Sequence, residues 1–90
     1  QKAKNFFFDA IEIEPNLLEA KYNYAYILQT ENNFKEAKRY YREIMEISSD
    51  IPKVLNNLAT IYLAEKKIAE AEELLKRCLQ EDKNFEFAKK

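Results

Sequence analysis

The sequence lacks the residues on which tight turns, strands and imidazole chemistry depend. It has no Gly, no His, no Trp and only two Pro in 90 residues. Because hairpin turns and strand bulges rely on Gly, its absence predicts an all-α fold. The absence of His excludes general acid–base catalysis by an imidazole. Cys78 is the single cysteine, so no internal disulfide can form, which favours a reducing compartment such as the cytoplasm.

An excess of one charge and long apolar runs are also missing. The chain has 15 Lys and Arg against 16 Asp and Glu, so no basic field attracts nucleic acid or an anionic membrane surface. No apolar stretch approaches the roughly 20 residues that span a bilayer, and no signal-peptide pattern is present. We therefore expect neither nucleic-acid binding nor membrane insertion. Because the first residue is Gln1 rather than Met, we expect a fragment or a processed form.

Patterns that carry catalysis or metal binding are absent as well. The sequence has no Cys/His cluster for zinc and no Asp-rich loop with Gly for calcium. Cys78 lies on an apolar helical stripe with Leu75 and Leu79, which predicts a buried hydrophobic residue rather than a reactive thiol. Pairs such as Glu72 with Lys76 have the spacing that supports an exposed helix. The sequence thus predicts no enzyme, no metal site and no cofactor.

The sequence does contain an internal repeat of about 34 residues. Within each unit, apolar residues recur at i, i+3, i+4 and i+7 in two blocks separated by short polar breaks. This pattern predicts helical hairpins. The residues that align under the shift include Leu17 with Ile51 and Phe85, Asn23 with Asn57, Ala25 with Ala59, Ile27 with Ile61, Glu31 with Glu65, Glu36 with Glu70 and Ala37 with Ala71.

The repeat predicts the helices and their order along the chain. One unit has a first helix from about Leu18 to Glu31 and a second helix from about Phe34 to Ile47. The next unit repeats this pattern one period later. We therefore predict a single segment, 1–90, made of a second helix of a partial repeat in 1–16, full repeats in 17–50 and 51–84, and the start of a further first helix in 85–90.

The breaks between blocks have the residues expected of helix ends. Pro52 suits the first turn of a helix, after the capping-competent Ser49 and Asp50. Asn32 tolerates the left-handed conformation that ends many helices. At the equivalent turn Lys66 has no such tolerance, so we expect backbone strain there.

Small and large residues alternate at fixed positions of the two helices. They are Leu55, Leu58, Ala59, Tyr62, Ala71 and Leu75 in the last full unit, Tyr24, Ala25, Leu28, Ala37 and Tyr41 in the middle unit, and Ala3, Phe7, Ala10 and Pro15 at the start. This pattern resembles the tetratricopeptide repeat over nearly the whole chain. The resemblance implies an α-solenoid of antiparallel helical hairpins wound as a right-handed superhelix, and a function in protein–protein interaction.

The chain departs from the family pattern at several positions. The Gly that is common at the hairpin turn is Asn32 or Lys66, and the large residue of the first helix is Lys21 in the middle unit. The closing Pro is replaced by Ser49 or Lys83. These departures are typical of divergent repeats and leave the subfamily open.

The resemblance implies a ligand groove on the concave side, where the first helices of successive units bind extended or helical peptides. The same positions form the stripe opposite each apolar face, and they hold Tyr, Asn and Thr where the second helices hold charged residues. Asn amides both donate to and accept from a peptide backbone, and Tyr gives contact area at low entropic cost. The implied lining is Glu19, Tyr22, Asn23, Tyr26, Gln29, Lys53, Asn56, Asn57 and Thr60.

Two other interpretations of these positions stay open. Asn23 and Asn57 can brace neighbouring helices while Tyr22 and Tyr26 fill contacts between units. One subfamily instead holds the acidic C-termini of chaperones with Asn and Lys or Arg from three first helices. Asn23 and Lys53 match that clamp, but Asn57 stands where an Arg is expected.

Three consecutive aromatic residues, Phe6 to Phe8, cover about 200° of a helix, more than one amphipathic face can bury. A preceding helix in a longer protein can cover them. Alternatively, Phe6 and Phe8 of one chain pack on Phe85 and Phe87 of another, a contact that can propagate into a homo-oligomer.

The predicted function is a protein-interaction module or scaffold that binds a partner peptide or helix. The alternative is a structural, self-associating segment without a peptide ligand.

Overall fold

The structure is a computed structural model that describes the backbone of residues 2–48 and 51–89 and the side chains of these residues up to residue 80. The described residues form five α-helices and no strand. The helices are α1 (Lys2–Ile13), α2 (Leu18–Thr30), α3 (Phe34–Ile47), α4 (Pro52–Ala64) and α5 (Ile68–Lys89). The prediction of an all-α helical-repeat fold is confirmed.

The chain divides into two compact units, residues 1–47 and 48–90. In the first unit α1 packs on α2 and α2 packs on α3. In the second unit α4 packs on α5. Helices that follow each other in sequence therefore form the hairpins that the periodicity predicts.

The core of the first unit is the predicted apolar face. Ala25 and Ala37 are fully buried, and their small side chains let α2 and α3 approach closely. Tyr41 is also fully buried. Tyr24 and Tyr40 pack edge to face with ring centroids 5.1 Å apart, and burial is the main cause that raises the pKa of Tyr24. Aromatic packing thus fills the space beside the two alanines.

The core of the second unit comes mainly from α4, which buries Val54, Leu55, Leu58, Ala59 and Ile61. From α5, Ala71 and Leu74 are buried against it, whereas Leu75 is 36% exposed. A single neighbouring helix covers only part of a wide apolar stripe, so residues at its edge stay in solvent.

The stripe that holds Cys78 is less buried than predicted. Cys78 is only half-buried, with its Sγ 3.5 Å from the carbonyl oxygen of Pro52, and Leu79 is exposed. Cys78 is therefore only partly buried where a buried residue is expected, because α4 covers the Ala71 side of α5 and leaves Leu79 exposed.

The end of α5 also differs from the prediction. A helix boundary is expected near residue 84, but α5 continues to Lys89. No Gly or Pro interrupts this stretch, so nothing local forces the helix to end. The side chains of Phe85 and Phe87 lie outside the described residues, and their part in self-association stays a prediction.

Both hairpin turns end a helix with a left-handed residue that is not Gly. Asn32 and Lys66 each have a φ of 63°. In each turn the next residue donates its N–H to the carbonyl oxygen five residues back, at 2.8 Å, which is the bond of a Schellman motif. The unfavourable backbone conformation predicted for Lys66 is thus confirmed.

Replacing Lys66 with Gly should stabilise the chain by about 0.5–1 kcal/mol, because Gly has no Cβ to clash at positive φ and the Lys66 side chain is exposed. The matched change Asn32→Gly should gain less, since Asn tolerates this conformation. Urea unfolding followed by circular dichroism measures both changes in the free energy of unfolding. If the two substitutions change the free energy of unfolding equally, the backbone at Lys66 is no more strained than that at Asn32.

Candidate protein-interaction site

The residues predicted to line a groove on α2 divide into an exposed set and a set that contacts α3. Glu19 and Tyr26 are exposed, and Asn23 is half-buried. Their spacing of four and three residues places all three on one side of the helix. We call Glu19, Asn23 and Tyr26 the α2 face. It presents an aromatic ring that is 50% exposed beside an amide and a carboxylate.

Tyr22 and Gln29 instead hold α2 to α3. The hydroxyl of Tyr41 donates a hydrogen bond of 2.8 Å to Oε1 of Gln29, and the rings of Tyr22 and Tyr41 lie 6.0 Å apart. Because Tyr41 is fully buried, its hydroxyl needs an acceptor inside the protein. These two residues of the predicted lining therefore brace the hairpin.

On α4, the predicted residues Lys53, Asn56 and Thr60 are exposed. The Thr60 hydroxyl donates to the carbonyl oxygen of Asn56 at 3.0 Å, a bond within the helix that leaves the Asn56 side chain on the surface. Asn57 is half-buried and takes part in an interaction of its own. Of the predicted lining, α4 therefore exposes Lys53, Asn56 and Thr60.

Leu63 is a surface residue of α4 that the sequence analysis missed. It is exposed and follows Thr60 by three residues on the same side of the helix. The repeat aligns it with Gln29, so the same shift that identified the other residues also points to it. We call Lys53, Asn56, Thr60 and Leu63 the α4 face.

The outward side of α3 has a different character, because its charges pair with each other. Arg39 donates to Oε2 of Glu36 at 2.8 Å and to Oε2 of Glu43 at 3.1 Å, and its guanidinium lies 4.5 Å from the ring centroid of Tyr40. The hydrogen bond from Arg39 lowers the pKa of Glu36. These exposed pairs add little stability. The α2 face, in which only Glu19 is charged, is the less charged surface of this hairpin.

Comparison with known families identifies the class of repeat. A tetratricopeptide repeat model matches residues 28–89. The chain belongs to the tetratricopeptide repeat family. Tetratricopeptide repeats form a non-catalytic family whose members generally bind proteins or peptides. No curated protein matches the chain.

Lys21 occupies the position of the large residue of the first helix, which is Leu55 in the next repeat. Its side chain is only 8% exposed, and its Nζ lies 3.1 Å from Oε1 of Glu43. An ammonium group is tolerated at such a depth when a carboxylate pairs with it. The sequence analysis noted Lys21 as a departure from the pattern but did not find its partner on α3.

The three aromatic residues of α1 differ in exposure. Phe8 packs on Tyr24 of α2 with ring centroids 5.6 Å apart, and Phe7 is half-buried. Phe6 is 68% exposed and has only its edge-to-face contact with Phe7, at 5.5 Å, among the aromatic contacts described for it. In this tetratricopeptide repeat chain, α2 therefore covers part of the aromatic cluster, and Phe6 is the residue it leaves in solvent.

Phe6 borders a cavity of about 230 Å³ between α1 and α2 of the tetratricopeptide repeat chain. We call it the α1–α2 pocket. Its lining residues are Phe6, Phe7, Ala10, Leu17, Glu19, Ala20 and Asn23. The pocket thus shares Glu19 and Asn23 with the α2 face, whereas Tyr26 lies outside it.

Two searches for other kinds of site are negative within the part of the chain that the structure describes. These residues contain no group of three side chains that could hold a metal ion. They also include no helix with both the length and the apolar character of a membrane span.

Proposed function

We propose that this tetratricopeptide repeat chain binds a peptide or helix of a partner protein through the α2 face of its first unit, and that the α4 face is a contact surface of its second unit. The observation that carries the proposal is Tyr26, an aromatic residue that is 50% exposed on a helix side with few charges. Tyr supplies a large contact area and loses little conformational entropy when it is buried by a partner. Asn23, one turn before it, adds an amide that can pair with a peptide backbone.

The α4 face supports the same proposal. Asn56 and Thr60 are exposed polar residues, and Leu63 adds an exposed apolar side chain one turn further. An apolar contact surrounded by residues that can form hydrogen bonds is the usual composition of a protein interface. The proposal assigns each face a contact with the partner.

Selection of peptides from a random displayed library against the chain tests this function. We expect enriched peptides to bind the parent and to bind the variant Tyr26→Glu at least about tenfold more weakly, because a central aromatic contact is lost and a carboxylate is buried. Asn56→Glu tests the α4 face in the same way. Fluorescence anisotropy with the enriched peptides measures the affinities.

The matched control is Gln80→Glu, which makes the same change from a neutral residue to Glu at an exposed position outside both faces. It should leave peptide affinity unchanged. If no peptide is enriched while the chain remains helical, or if all three variants bind equally, binding at these faces is ruled out.

The second candidate function is self-association, and the exposure of Phe6 is the observation that favours it. If copies associate through α1, the mass measured by light scattering should rise with concentration for the parent and not for Phe6→Glu. Phe6→Glu is a cleaner probe than Phe8→Glu, because Phe8 also contacts Tyr24 within its own chain. A mass that is independent of concentration for the parent argues against this function.

A further inference from the structure

The α1–α2 pocket has the size and lining of a site for one apolar side chain. Its volume of about 230 Å³ is below the roughly 300 Å³ at which pockets for small molecules begin. Five of its seven lining residues are apolar, and two of them, Phe6 and Leu17, are large and exposed. A side chain that entered the pocket would therefore gain contacts with surface that is now in water.

The surroundings of the pocket are acidic. Residues 5–20 contain four carboxylates and no Lys or Arg. Glu19 lines the pocket. Glu14 follows the last residue of α1, and its N–H donates to the carbonyl oxygen of the pocket residue Ala10 at 2.9 Å.

The nearest basic residues along the chain do not offset this charge, because each is paired with a carboxylate. Lys4 Nζ lies 2.8 Å from Oε1 of Glu31, and Lys21 Nζ lies 3.1 Å from Oε1 of Glu43. Among the residues that line the pocket, Glu19 is therefore the charged one, and Glu14 lies in the chain segment next to it.

We propose that the α1–α2 pocket docks a basic amphipathic helix of a partner protein. One apolar side chain of that helix enters between Phe6 and Leu17, and flanking Lys or Arg side chains lie near Glu14 and Glu19. Apolar contact supplies the affinity, and charge complementarity selects the partner. The pocket shares Glu19 and Asn23 with the α2 face, so this inference rests on the proposed function and narrows the partner, while Tyr26 and the α4 face take no part in it.

A second copy of the chain fits the pocket less well than a basic helix does. Leu75 and Leu79 of α5 are among the exposed apolar residues that a copy offers. Residues 68–80 carry three Glu against one Lys and one Arg, so this helix brings acidic charge to an acidic pocket. Like charges placed together at an interface oppose association.

Binding of two labelled peptides tests the proposal. Both are helical and carry a stripe of Leu, but one has Lys and the other Glu at the flanking positions. Fluorescence anisotropy should show that the Lys peptide binds the chain at least about tenfold more tightly than the Glu peptide at low salt, and that added salt reduces the difference.

Variants of the chain separate the apolar and the charged contributions. Phe6→Ala should weaken binding of the Lys peptide about tenfold, and Glu19→Lys about fivefold. Glu12→Lys makes the same charge change on α1. Because Glu12 lines a different cavity, this control should change the affinity for the Lys peptide by less than about twofold. Because Phe6 and Glu19 are both exposed, circular dichroism should show parental helicity for their variants.

Tyr26→Glu separates failure of this inference from failure of the proposed function, because it should weaken binding of the enriched peptides at the α2 face at least about tenfold and leave the Lys peptide bound in the pocket. The proposal is overturned if the two peptides bind equally, if neither binds, or if Glu12→Lys weakens binding as much as Glu19→Lys. Concentration-dependent mass that Phe6→Ala abolishes, together with no peptide binding, would assign the pocket to a second copy.

Discussion

Replacing Tyr41 with Ala is expected to lower the free energy of unfolding by about 3–5 kcal/mol, as for other large residues removed from a core. Tyr41 is fully buried, its ring lies beside Tyr22, and its hydroxyl donates to Gln29. The substitution removes the ring from between α2 and α3 and leaves the Gln29 amide without its partner. Small domains are stable by only about 5–15 kcal/mol, so the loss is a large fraction of the total. Urea unfolding followed by circular dichroism measures it.

Two control variants separate the causes of this loss. Tyr41→Phe keeps the ring and removes the hydroxyl, and it should cost about 0.5–1.5 kcal/mol. Leu75→Ala changes the equivalent position of the next repeat, where the side chain is 36% exposed, and it should cost about 1 kcal/mol or less. If Tyr41→Phe costs as much as Tyr41→Ala, the hydrogen bond and not the packing explains the effect. If Leu75→Ala costs as much, burial is not the reason that the two positions differ.

The helices were predictable because the signals that set them are local. The first helix of the middle unit, expected from about Leu18 to Glu31, is observed as Leu18–Thr30, and α3 has the expected bounds. Apolar periodicity defines which residues face the core, and Pro52 and Asn32 mark where helices begin and end. The end of α5 was not predictable in the same way, since the repeat pattern suggests a boundary there but no helix-breaking residue supplies one.

The candidate site was predictable only in part, because exposure depends on contacts between helices. The spacing of Tyr22, Tyr26 and Gln29 does not tell which of them contacts α3. Gln29 contacts α3 because it accepts the hydrogen bond from the Tyr41 hydroxyl, and Tyr22 contacts α3 because its ring lies beside the ring of Tyr41. Tyr26, which lies further around the helix, is left for a partner.

Comparison of equivalent positions in the two repeats was a more useful guide to exposed residues than the spacing within one helix. Leu63 is exposed at the position equivalent to Gln29, so the alignment of the repeats points to it although it is not in the predicted lining. The same comparison shows why equivalent positions need not be equally buried. Tyr41 and Leu75 align, but only Tyr41 is fully buried.

The second large effect is expected at the ion pair between α2 and α3. Replacing Glu43 with Ala should lower the free energy of unfolding by about 2–4 kcal/mol, because it leaves the Lys21 ammonium buried without a carboxylate. The range is somewhat below that of fully buried pairs, since the Glu43 side chain is 33% exposed. Arg39 also loses a partner, but it keeps Glu36 and is itself exposed. Urea unfolding measures the change, and Glu46→Ala on the exposed side of α3 should be within about 0.5 kcal/mol of the parent.

A double-mutant cycle shows whether the unpaired ammonium causes the loss. Lys21→Met places an apolar side chain of similar length at the buried position, as Leu55 does in the next repeat. In that background Glu43→Ala should cost about 1 kcal/mol or less. If Glu43→Ala costs the same with Met at this position, the loss arises from packing or from Arg39, and Lys21 does not depend on its partner. If the cost disappears, the stability of this repeat depends on pairing Lys21 with Glu43, because a buried charge is tolerated only while its counterion is held beside it.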